Sequence, residues 1–267
     1  MHLMRSLLNV HPHIQCDTQL KTFEDITKLE RITEGGKERK RLDEAKVSRE
    51  LLSKATAIFI AQVAGSYNSQ VRNPCVVSGE ILRIGFLVSE QLPNARFIHM
   101  IRDGRAVAHD NVQAMTRSEK NAEKINKKYV IHLEKWSNVS SMMFHQCSLL
   151  GEKCLKVYFE ELIENTPQQL RRIADFVKLP NIRSSRDRFI EEAVLKVAHL
   201  KEQNVQRQWI EEMPAAVRAA AEQHAPMLKV LGYQSDGTLV VKDNPYNLEY
   251  ADNSAKHIGP SGSQTTM

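Results

Sequence analysis

No run of this sequence approaches the ~18 consecutive apolar residues that a membrane-spanning helix needs, so no such helix is expected. The first ten residues, Met1 to Val10, are too short and carry Arg5 too late for a signal peptide, so no targeting segment is expected in the chain. Basic residues interleaved with aromatics are also missing. The net charge of +5 is scattered, which excludes a nucleic-acid footprint while suiting an anionic ligand or an acidic substrate. No internal repeat is visible, and no two cysteines have the C-x-x-C spacing of a zinc or redox site.

What is present suits one α/β domain. The 267 residues are 42% hydrophobic and 26% charged, enough for a sizeable core. Four cysteines occur, Cys16, Cys75, Cys147 and Cys154. Gly151 offers a turn between the last two, so a local disulfide is sterically plausible; four buried free thiols are the alternative reading.

Apolar spacing predicts a helix over residues 43–64, with Val47, Leu51, Ala55, Ile58 and Val63 inward and Gly65 closing it. Residues 66–80 read as irregular, with Asn73-Pro74 as a turn signal. The run Arg96–Ile101 is apolar and β-favouring. It leads straight into Arg102-Asp103-Gly104-Arg105 and a helix from Ala106. Strand, basic turn and helix together make a ligand-binding edge of a parallel sheet, with an arginine fork beside the N–H groups of a helix start. A long helix follows over 121–150, with Ile125, Leu133, Trp136, Met143, Phe144 and Cys147 as candidate core positions. Leu155–Phe159 reads as a second strand. Gln168–Val177 reads as a helix entered through Pro167, with Leu170, Ile173 and Phe176 buried. A final helix is expected from Pro214 to Gly232, bent by Pro226, and then a disordered tail over 235–267. Alternating strands and helices predict a three-layer α/β domain over 1–234 with a short, mostly parallel sheet.

Several of these segments, in order, resemble the protein-tyrosine sulfotransferase family. Pro93–Phe97 and Met100–Ala106 are similar to the family's 3′-phosphate-binding strand and turn. Leu3-Met4-Arg5, His11-Pro12 and Cys16 resemble the helix after its phosphate loop, and Arg41–Ala45 matches a further segment. Cys147 through Glu160-Glu161-Leu162 resembles a cysteine pair followed by a V-x-Y-E-x-L strand. Ala225–Leu228 and Leu231-Gly232-Tyr233 are similar to its C-terminal helix. The resemblance implies a P-loop sulfotransferase fold and transfer of a sulfuryl group from 3′-phosphoadenosine 5′-phosphosulfate to tyrosines of acidic protein substrates, without a metal. It further implies disulfides Cys16–Cys75 and Cys147–Cys154, a homodimer among the expected assemblies, and a Golgi lumen setting. Membrane attachment would come only through an anchor that this chain does not carry. Asn138-Val139-Ser140 is a glycosylation sequon in that setting.

Carried across residue by residue, the resemblance places Arg102 at the 3′-phosphate arginine, Asp110 at a serine donating to the same phosphate, and Phe159 at a tyrosine. Gln208 falls at a lysine position, beside Arg207, which could substitute for it. Some family donor residues have no counterpart between Leu200 and Lys201. Gln19 falls at the catalytic glutamate, Val77 at the catalytic lysine and Lys21 at a substrate-binding arginine. Met1 and His2 sit where the phosphate loop has its two threonines, so that loop and the strand before it are expected to be missing. A carboxylate at position 110 would repel a phosphate. An amide at 19 cannot take a proton, and valine at 77 cannot carry charge. The expectation is a weak or inactive transferase, represented by an incomplete chain. The alternatives are an inactive paralogue binding acidic peptides or partner proteins, and an unrelated nucleotide-binding α/β protein. His109 and His132 are the remaining acid–base candidates, although a single histidine on a helix is more often satisfied locally.

Overall fold

The structure, a computed structural model, describes residues 2–16, 22–23, 25–26, 36–66, 73–116, 121–179, 183–202 and 207–240. It is a mostly helical α/β fold with two small parallel strand pairs. After α1 (His2–Leu8), β1 (Ile14–Cys16) pairs with β2 (Asn73–Cys75), and the register sets Cys16 opposite Cys75. β3 (Phe97–Ile101) pairs with β4 (Cys154–Tyr158), Phe97 opposite Cys154 and Ile101 opposite Tyr158. Among the described residues the expected single sheet is thus two pairs, whose side chains meet in one cluster. Ile14 and Cys16 from one pair and Ile98, Met100, Leu155 and Val157 from the other enter one apolar cluster, with Leu7, Leu162, Leu170, Ile173 and Phe189. β2 lies within the stretch expected to be irregular. Pro74 is tolerated there because a two-stranded ribbon has an open edge.

The helix expected over 43–64 is two helices, α2 (Gly36–Glu44) and α3 (Arg49–Ser66). Lys46 adopts φ +59°, Val47 N–H donates to Leu42 and Lys46 N–H to Asp43, which is a Schellman termination. Ser48 then starts the next helix by accepting from Leu51 N–H at 3.1 Å. The buried face of α3 is Ala57, Ile60 and Ala61, whereas Leu51 and Ile58 are exposed. The helix is apolar on more than one side, so spacing alone picked the wrong face.

α4 (Gly85–Gln91) precedes β3, and α5 (Gly104–Thr116) follows it. α6 (Ala122–Leu150) matches the expected long helix. Its cap Asn121 accepts from Lys124 N–H at 3.0 Å, and it packs across α5 and the second strand pair. Leu133 and Cys147 on it are fully buried; Ile125, Trp136, Met143 and Phe144 are partly buried against the core. α7 (Phe159–Glu164) leads to α8 (Thr166–Phe176), which buries Leu170, Ile173 and Ala174 while Phe176 remains half-buried. α9 (Arg183–Glu202) has no counterpart in the sequence reading. The expected last helix is broken into α11 (Ala215–Ala219), α12 (Ala221–His224) and α13 (Met227–Val230), after the short α10 (Trp209–Glu212). Ala225 leaves the helical region (φ −134°, ψ 72°) because the following Pro226 disfavours it there. Gly232 closes α13 at φ +89°, and residues 233–240 form a turn with a bridge between Tyr233 and Leu239.

Disulfides join Cys16 to Cys75 and Cys147 to Cys154, with Cα separations of 4.2 and 5.3 Å. No helix among the described residues is long and apolar enough to cross a membrane.

Candidate functional site

The turn after β3 is built inward. Asp103 caps α5 by accepting from Arg105 N–H at 2.8 Å, and its carboxylate takes Arg105 Nε and Nη2 at 3.0 and 2.8 Å. Both side chains are almost wholly buried, and the Arg105 guanidinium lies 4.2 Å over the Trp209 ring. The Arg105 fork therefore serves the fold rather than an anion, and Asp103 pairs with Arg105 rather than with Arg102. Gly104 is required by close approach, because a Cβ there would come 2.3 Å from the Trp136 ring. Glu160 fixes the turn from the other side. One oxygen accepts from Asp103 N–H and the other from the Tyr233 hydroxyl, both at 2.9 Å. Burial, together with the nearby Asp103 carboxylate, raises the Glu160 carboxyl above its usual range against the pull of these bonds. Burial and then Glu160 raise the Tyr233 hydroxyl well above its ordinary value. Sequence reading matched the segments holding Glu160 and Tyr233 but could not see that they meet across 73 residues.

Arg102 is the least buried residue of this turn. Its Nη1 donates to Asp110 Oδ2 at 2.5 Å, and its guanidinium lies 4.9 Å from the centre of the Phe159 ring. Its Nε and Nη2 are buried with no hydrogen-bond partner among the described residues. The structure thus brings Arg102, Asp110 and Phe159 together. Beside them opens a cleft of about 450 Å³ lined by His109, Asp110, Gln113, Ala114, Gln208 and Glu212. His109 Nδ1 is hydrogen-bonded to the Tyr129 hydroxyl at 2.9 Å, and its Nε2 lies 3.2 Å from Glu212. Gln113 also reaches Glu212, at 3.4 Å. His132 lies on α6, its pKa lowered by partial burial and by Lys135.

Gln208 shares the cleft with Asp110. Arg207 is exposed and contributes, after the Thr238 N–H and hydroxyl, to holding the Asp236 carboxyl below its usual range. Val77 lies two residues beyond β2, partly buried against the first apolar cluster. Gln19 and Lys21 lie outside the described residues. No group of three or more metal-ligating side chains occurs among the described residues.

The sulfotransferase family profile matches residues 2–183, and the chain belongs to that family. Within it, the chain is distantly similar to protein-tyrosine sulfotransferases: 27% identical over 252 residues to the Drosophila melanogaster enzyme, 28% over 251 residues to protein-tyrosine sulfotransferase A of Caenorhabditis elegans, and 28% over 248 residues to human protein-tyrosine sulfotransferase 1. Each alignment covers 86% of this chain and, in the same order, 49%, 63% and 66% of the relative, so the chain spans about half to two thirds of their length.

The family implies 3′-phosphoadenosine 5′-phosphosulfate as co-substrate. At the turn that resembles the family's 3′-phosphate site, the residues around Arg102 do not fit that phosphate. A carboxylate already holds Nη1, Phe159 has no hydroxyl to offer, and the cleft lining carries two carboxylates and no lysine or arginine. A phosphate placed there would meet like charge.

Proposed function

We propose that this chain keeps the scaffold of a protein-tyrosine sulfotransferase, a three-layer P-loop plan, without its turnover. The reaction of that family, transfer of a sulfuryl group to a tyrosine of an acidic protein substrate, proceeds here weakly or not at all. The observation that supports this reading is Val77, an apolar side chain partly buried against the core, at the position that the resemblance assigns to the family's lysine. Nothing at that position neutralises charge developing on a leaving oxygen. Gln19 in place of the general base points the same way, since an amide accepts no proton at neutral pH. The two disulfides favour an oxidising compartment, for which we propose the Golgi lumen.

A second reading is a binding module for acidic peptides or partner proteins. The ordered, disulfide-closed fold and the net charge of +5, with Lys21 at the substrate arginine, favour it. Such binding would weaken with salt.

Single repair tests the proposal. Because base and charge stabiliser act as a unit, Gln19→Glu alone and Val77→Lys alone should leave transfer to an acidic tyrosine peptide at background. A rise above background with either one would overturn the assignment of the other.

A further inference from the structure

Two polar side chains near the middle of α6 are not accounted for by the fold. Asn138 is exposed and Ser140 is buried, and neither side chain has a hydrogen-bond partner among the described residues. Other serines of the same helix are used. Ser137 accepts from Met227 N–H at 3.3 Å, and Ser148 donates back to the Phe144 carbonyl at 2.9 Å. Asparagine and serine are poorer helix formers than alanine, and burying a hydroxyl without a bond costs stability. The helix itself therefore calls for neither residue.

Together they make Asn138-Val139-Ser140, the one N-x-S/T sequence in the 267 residues, with no proline at its centre. Residues two apart lie on opposite sides of a helix, so the asparagine faces out while the serine faces the core. The outward face around Asn138 is partly apolar. Ile131, one side of it on the same face, is 51% exposed, and Met142, on the other side, is 36% exposed. At a rise of 1.5 Å per residue they lie about 10 Å and about 6 Å along the axis from Asn138. A bulky, hydrophilic group at that position would cover both.

We infer that Asn138 is an N-glycosylation site, and that its glycan lies over Ile131 and Met142 on the outer face of α6. The inference rests on the lumenal setting proposed above. The co-reactant is an oligosaccharide carried on a lipid pyrophosphate. Asn138 Nδ2 bonds to the anomeric carbon of the first sugar as that carbon's bond to the pyrophosphate oxygen breaks, and one amide proton goes to the leaving pyrophosphate. The glycosylating enzyme reads the Ser140 hydroxyl in an extended segment, before α6 forms and buries it.

Peptide mass spectrometry of the full chain, directed into the secretory pathway of cultured animal cells by a cleavable leader, tests it. One glycan on Asn138 in a protein with both disulfides closed is the expected result. Ser140→Ala should lose the glycan and melt no lower than the enzymatically deglycosylated protein, because alanine suits the helix better. Ser140→Thr, which keeps the hydroxyl, should keep the glycan. Hydroxyl-radical labelling of Ile131 and Met142 should rise when the glycan is released, and unchanged labelling would overturn its placement over them. A secreted, oxidised chain with Asn138 bare would overturn the inference and leave the lumenal setting standing. A glycan retained in Ser140→Ala would overturn the assignment to this sequon. Protein from its natural source with both cysteine pairs reduced and Asn138 bare would bring down the lumenal setting, and the inference with it.

Discussion

His99 points from β3 toward the side of the sheet that carries Lys156, directly opposite it in register. Its ring is buried and Nδ1 has no partner among the described residues. Burial first, and then the Lys156 charge, lower its pKa to about 4. The unfolded chain keeps the ordinary value near 6.5 and so binds the extra proton first as pH falls. Stability from this residue is therefore complete above about pH 6.5, declines between there and about 4, and falls by about 3 kcal/mol over that window. Urea melts from pH 7 to 4 check the sign. Replacing His99 by Gln should flatten the slope, and an unchanged slope would remove His99 from the account. Residue identity carried this far less well than it carried Arg102. His99 reads as one more residue in a β-favouring run, and only burial makes its titration matter. Arg102 stood out because strand, turn and helix surround it in sequence. Its pairing with Asp110, eight residues on, was predictable only as repulsion of a ligand, not as an internal bond.

At the scale of elements, the sequence located the strong periodic segments and missed a helix and a break that carry no such signal. α6, β3 and β4 came within a residue or two of their observed limits, because a cap residue and apolar runs mark them. α9 went unread, and the break between α2 and α3 was hidden. Lys46 gives no hint of the left-handed turn it adopts, and Ser48 is a cap only once that turn exists. Lys46 thus holds a conformation that a side chain resists and glycine accepts. Lys46→Gly should stabilise the fold by about 0.5–1 kcal/mol, less than the full relief because glycine also frees the unfolded chain. Chemical denaturation of the two proteins measures it. A loss of stability would show that the Lys46 side chain contributes more than its backbone strain costs.

For the whole molecule, the disulfides were legible through family resemblance, whereas spacing alone left free thiols open. Cys16 and Cys75 are 59 residues apart, and β1 and β2 meet only by folding. Closing that loop restricts the unfolded chain by about 4 kcal/mol, against roughly 2.5 kcal/mol for the short loop between Cys147 and Cys154. Replacing both Cys16 and Cys75 by alanine should therefore lower the melting temperature more than replacing both Cys147 and Cys154. The reverse order would place the structural burden on the second strand pair instead.

The turnover itself is the most direct point of contact with experiment. The oxidised, unmodified chain is incubated with 3′-phosphoadenosine 5′-phosphosulfate carrying labelled sulfur and with a tyrosine peptide flanked by acidic residues. Incorporation of label into the peptide is then counted against a boiled control. With Val77 apolar, Gln19 unable to accept a proton and Asp110 already on Arg102, incorporation equal to the control is the expected result. Incorporation that rises with time and protein concentration above that control would contradict the account.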